Sequence, residues 1–96
     1  MKMLMIICPE NRQEEVRALV GEQAVHAYSE IPGVLGEGET GKHLGTRTWP
    51  GRSALIFTVL PKARERDLVN ALEAFKSKLY EGEGIRVFAL PVESLM

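Results

Sequence analysis

The stretch Met3-Leu4-Met5-Ile6-Ile7 is apolar at every position. Successive side chains of a strand point to opposite faces, so this segment needs cover on both sides of any sheet it joins. Ala54-Leu55-Ile56-Phe57-Thr58-Val59-Leu60 behaves alike: Leu55, Phe57 and Val59 lie on one parity, Ile56 and Leu60 on the other. A sheet built on these two strands cannot leave either face to water without exposing a large apolar patch.

The rest of the chain supplies only enough cover for one face. Asn11 with Glu14 three residues on reads as a near capping box, opening a helix whose apolar face is Val16, Leu19 and Val20. Gly21 is placed to close it. A second strand is expected over Val25 to Ile31, with Val25, Ala27 and Ile31 on one side and His26, Tyr28 and Glu30 on the other. Pro32-Gly33 interrupts it, and Val34-Leu35 continues it past a bend or bulge. Pro61 stops the Ala54–Leu60 strand and opens a helix over Lys62 to Tyr80, where Leu68, Leu72, Phe75 and Leu79 form one stripe. Gly82-Glu83-Gly84 makes a tight loop before a last strand, Ile85 to Leu90.

The order is β-α-β-β-α-β, which is the ferredoxin-like sandwich of the α+β class. Both helices then lie on one face of an antiparallel sheet. The opposite face, carrying Met3, Met5, Ile7, Leu55, Phe57 and Val59, is left for other copies of the chain, so a homo-oligomer is expected. The 96 residues are read as a single domain, 1–96.

Between the second and third strands, Gly36 to Arg52 is glycine-rich, polar and without periodicity. Structureless loops longer than roughly 12–15 residues are uncommon and usually functional or disordered. Its start, Gly36-Glu37-Gly38-Glu39-Thr40-Gly41-Lys42-His43, nearly spells a P-loop. However, His43 stands where the Mg²⁺-binding hydroxyl belongs, no regular helix can follow, and two glutamates would repel phosphate. A solvated loop is the simpler reading.

Composition narrows function further. With 12 Lys+Arg against 13 Asp+Glu, the chain has no overall basic footprint for nucleic acid. Cys8 is the lone cysteine, which excludes an intramolecular disulfide and a cysteine-based zinc site. The longest apolar run, Met3 to Cys8, is far too short to span a membrane or to serve as a signal peptide, so a cytoplasmic protein without direct membrane insertion is expected. No serine has an elbow motif, and neither histidine is placed for a triad, so an enzyme is not expected. His43 with Glu37 and Glu39 is the one group that can gather a transition metal. Lys42, Arg47, Arg52 and Arg86, with the Gly82–Gly84 backbone, are suited to a small anion.

Read together, these segments resemble the nitrogen regulatory PII superfamily. The strand ending at Pro9, the helix with Glu15-Val16-Arg17-Ala18-Leu19, the run Ser29-Glu30-Ile31-Pro32-Gly33-Val34-Leu35-Gly36, and Gly82-Glu83-Gly84 before Arg86-Val87-Phe88 are similar to that family in order and spacing. Residues 36–52 then occupy the place of its long T-loop, and Gly82–Gly84 that of its B-loop. The resemblance implies a homotrimer that binds a small effector, most simply an adenine nucleotide, in clefts between subunits. Gly33, Gly36, Gly38, Lys42, Gly82, Gly84 and Arg86 would serve the ligand. Thr46, Arg47, Trp49 and Arg52 would meet a target protein, such as a transporter or an enzyme. The resemblance also allows AMP-type nucleotides and bicarbonate, to which some relatives respond, and a cyclic dinucleotide is a further candidate effector. Departures point to PII-like relatives: Ile85 stands where the family's phosphate-binding lysine follows the glycines, the loop lacks tyrosine, and no closing C-terminal extension is expected. The alternatives are a metal-responsive member using His43, Glu37 and Glu39, and an interaction module anchored by Trp49.

Overall fold

The computed structural model describes residues 1–23, 25, 27–36 and 52–96. Strand β1 (Lys2–Pro9) runs into a 3-10 turn (Glu10–Arg12) and helix α1 (Gln13–Glu22). Strands β2 (Ser29–Val34) and β3 (Ser53–Leu60) follow, then α2 (Lys62–Phe75), a 3-10 turn (Lys76–Lys78) and β4 (Arg86–Pro91). The four strands form one sheet in the order β2-β3-β1-β4, with every neighbouring pair antiparallel. This is the ferredoxin-like α+β order that the sequence predicts.

The core lies between the sheet and the helices. Leu4, Ile6 and Cys8 of β1 and Ala54, Ile56 and Leu60 of β3 meet Val16 and Val20 of α1 and Leu68, Leu72 and Phe75 of α2. Each fully buried aliphatic side chain contributes on the order of 1.5–3 kcal/mol. Thr58 is the buried polar residue of this face, and its hydroxyl donates to the Ala27 carbonyl.

The other parity faces away from the helices. Register places Met3, Met5 and Ile7 opposite Val59, Phe57 and Leu55 on one side and opposite Leu90, Phe88 and Arg86 on the other. Ile31 of β2 pairs with Leu55 and extends the same face. Ile31, Val59, Phe88 and Leu90 are 42–49% exposed in a single chain. The apolar second face expected from the sequence is therefore present, and it spans all four strands.

Local boundaries differ from the sequence reading for physical reasons. Asn11 caps nothing; the helix begins two residues later, without a side-chain cap. Gly21 lies inside α1 rather than ending it. Residue 25 is not yet strand: Val25 N–H donates to the Val20 carbonyl, and its side chain is buried as the chain leaves α1. Ala27 and Ile31, expected to share the face of Val25, are exposed. The register shift between Ile31 and Val34 is the bulge expected at Pro32-Gly33. His26 lies outside the described residues.

Candidate ligand site at one end of the sheet

Two backbone features define the site. At the first, Glu10 N–H donates to the Arg52 carbonyl at 2.8 Å, tying the end of β1 to the chain entering β3. Gly33 sits beside it with φ +70, and a Cβ there would meet Glu10 Oε2 at 3.7 Å. A side chain at Gly33 would be strained by that left-handed backbone. This corner, with exposed Leu35, Gly36 and Arg52, is the base of the long segment between β2 and β3.

The second feature is the glycine turn before β4. Gly82 has φ +91, and Glu83 N–H donates to the Tyr80 carbonyl at 3.0 Å. The turn folds back, so the Glu83 carboxylate accepts the Tyr80 N–H at 2.8 Å. Arg12 donates to the same carboxylate through Nε and Nη2, and Asn11 through Nδ2. Only 2% of the Glu83 side chain and 13% of the Arg12 side chain are exposed. The second Nη2 bond of Arg12 goes to the Lys78 carbonyl, and its guanidinium lies 5.0 Å from the centroid of the Tyr80 ring. These hydrogen bonds, that from Tyr80 N–H first, hold the Glu83 carboxyl below its ordinary value against the opposing effect of burial. The bonds to Glu83 and Glu15 push the Arg12 guanidinium up.

A parallel pair supports β2. Arg17 Nε donates to both oxygens of Glu30 and Gln13 Nε2 to one, which lowers the Glu30 carboxyl. Burial, reinforced by Glu30, raises the Cys8 thiol to about 11, so Cys8 is a core residue and a poor nucleophile.

Depressed carboxylates bind fewer protons folded than unfolded, so their stabilisation is present above the unfolded value near about 4.3 and fades as pH falls through the folded one. Thermal melts are therefore expected to be level from about pH 7 to 5 and to drop below about pH 4.5. The double variant Glu30→Gln, Glu83→Gln should show a visibly shallower acid slope. An unchanged slope would place the acid sensitivity elsewhere.

Arg86 opens β4 opposite Ile7, whose other partner Leu55 faces Ile31. The glycine turn and the loop base thus lie at the same end of the sheet, on its two opposite edges. Three strand spacings separate those edges, roughly 14 Å. Gly33 and Arg52 both border Glu10, whereas a Cβ at Gly36 would meet nothing within 4 Å, and among the described residues no hydrogen bond joins Gly33, Gly36 or Arg52 directly to Gly82, Gly84 or Arg86. Arg86 shares the apolar open face with Phe88 and Leu90, at its outer edge. No described residue accepts a hydrogen bond from the Gly82 or Gly84 N–H.

Glu37, Gly38, Glu39, Lys42, His43, Thr46, Arg47 and Trp49 lie outside the described residues. Among the described residues, no three metal-ligating side chains cluster, and no helix is long and apolar enough to cross a membrane. The sequence offers no signal for Arg12, which precedes the helix and has a largely buried side chain. Glu10, Asn11 and the carboxylate of Glu83 are likewise missed. No local pattern marks them, because Arg12 and Glu83 lie 71 residues apart.

The profile of the nitrogen regulatory protein P-II family matches residues 1–96. The chain belongs to this family. Its members are signalling proteins. Among solved structures, it is similar to CPII from Thiomonas intermedia K12, a nitrogen regulatory PII-like protein bound to ADP, AMP and bicarbonate. That likeness has a TM-score of 0.69 and 18% identity, covering 95% of this chain and 86% of that one. The apo form of the same CPII gives a TM-score of 0.66 and 19% identity, with coverage of 95% and 89%. A PII-like signaling protein from Thermus thermophilus gives 0.60 and 12%, with coverage of 93% and 83%. At such identities the likeness concerns the fold. No curated protein matches the sequence.

Proposed function

We propose that this P-II family member is a non-enzymatic, cytoplasmic regulator that binds an adenine nucleotide between copies of itself. The observation that carries the reading is the split site. Gly33 and Gly36 stand at the β2 edge with Arg52 at the entry of the adjoining strand β3, and Gly82, Gly84 and Arg86 at the β4 edge, with an apolar face running between them. A homotrimer formed through that face brings the loop base of one copy to the glycine turn of the next. The turn's backbone N–H groups and Arg86 then meet phosphate. Gly38 and Lys42 join the ligand from the long segment. Thr46, Arg47, Trp49 and Arg52 carry the response to a target protein, such as a transporter. CPII bound to ADP and AMP supports the choice of ligand class.

Calorimetric titration with ADP, AMP and ATP tests this reading. Saturable binding of at least one is expected, and Arg86→Glu should weaken it by roughly tenfold or more, the worth of one charge-assisted hydrogen bond. Absence of heat with all three would sink the nucleotide reading. Wild-type affinity in Arg86→Glu would remove that residue from the site.

A further inference from the structure

We propose that the 3-10 turn Glu10–Arg12 mechanically couples the two halves of the site within one chain, with Arg12 as the positioning residue that sets the Gly82–Gly84 turn through Glu83. Three consecutive residues reach both halves. Glu10 holds the loop base, through its N–H on the Arg52 carbonyl and its carboxylate beside Gly33. Asn11 and Arg12 hold the glycine turn, through Glu83 and the Lys78 carbonyl. The turn contributes no side chain to the apolar core and has no side-chain cap; the core holds only its neighbours, Cys8 and Pro9 before it and Val16 of α1 after it. Beyond those covalent links, its contacts to distant segments are the hydrogen bonds from Glu10 on one side and from Asn11 and Arg12 on the other. Three consecutive residues that bond both corners form one local unit, so releasing one corner is expected to lower the protection of the other. A ligand that stiffens the glycine turn therefore also stiffens the corner from which the long segment departs.

The fork geometry of Arg12 is what makes it suited to this task. Its guanidinium meets the carboxylate with two nitrogens and uses one of them again on a backbone carbonyl. A lysine offers a single point charge and cannot reproduce that planar set. The identity of the two corners as halves of a ligand site rests on the function proposed above, but the coupling between them does not.

Amide hydrogen exchange of the full chain without ligand tests the coupling directly. In Arg12→Ala, the Tyr80 and Glu83 amides are expected to exchange roughly tenfold or more faster, and the Glu10 amide should accelerate with them. Arg12→Lys should restore part of the protection at all three. Faster exchange at Tyr80 and Glu83 with Glu10 unchanged would reduce Arg12 to a local support and overturn the coupling. So would unchanged exchange at every position. If Arg12→Ala fails to fold, Glu83→Gln serves the same comparison, since it keeps an acceptor for Tyr80 N–H while removing the paired charge. Adding ADP to wild type should slow exchange at Glu10, and Arg12→Ala should lose that response. A wild type that binds no ADP defeats the nucleotide reading alone; the ligand-free exchange pattern still decides the coupling.

Discussion

Phe57→Asp is expected to leave a folded monomer. Phe57 stands near the middle of the open sheet face, opposite Met5 of β1 and Ser29 of β2, with Phe88 one strand further on. It makes no part of the helix-side core. In an isolated chain this position is half-buried on the open face, where an aspartate still reaches water. In an assembly built on this face, it is buried without a partner, and an uncompensated buried carboxylate costs several kcal/mol per copy. Light scattering should fall from a multiple of the chain mass to the mass of one chain, while far-ultraviolet circular dichroism stays as in wild type. If nucleotide binds between copies as proposed, its binding should be lost in the same variant. A variant that still assembles would show that copies meet through another surface.

The feature that makes this expectation sharp is also the one most legible in the sequence. Strand parity is a two-residue period, so Met3–Ile7 and Ala54–Leu60 declare both faces without reference to anything distant. The helix-side core was legible for the same reason: Leu68, Leu72 and Phe75 recur at helical spacing, and all three are buried. Leu79 continues that stripe in sequence, but the chain tightens to a 3-10 turn after Phe75. Leu79 still packs against the core, so the periodicity found the contact and missed the change in helix type. Polar positions were not legible. Asn11 satisfies a local capping rule, yet its amide is engaged with Glu83, 72 residues on in the sequence. Arg12 and Glu83 look like solvated charges because their partnership exists only after β4 has joined β1. Apolar pattern is local and additive, whereas a hydrogen-bonded ion pair between distant segments is a property of the closed structure.

Leu68→Ala should act on the chain itself. Leu68 is fully buried in α2, in the core cluster with Leu4 and Ile6 of β1. Removing its isobutyl group loses transfer free energy and leaves a cavity, at a cost of roughly 2–5 kcal/mol. A domain of about 100 residues has only about 5–15 kcal/mol of net stability. Each kcal/mol moves the melting temperature by about 4–8 °C at this size, so a loss of about 8 °C or more is expected in a thermal melt. The two substitutions separate the two faces of one sheet. An assembled protein melts higher as its concentration rises, because association stabilises the folded chain by mass action. Leu68→Ala should keep that concentration dependence while lowering the whole curve. Phe57→Asp should abolish the dependence. A Leu68→Ala protein melting within about 2 °C of wild type would mean that the helix-side core contributes little. The shared face would then carry most of the stability of the folded unit.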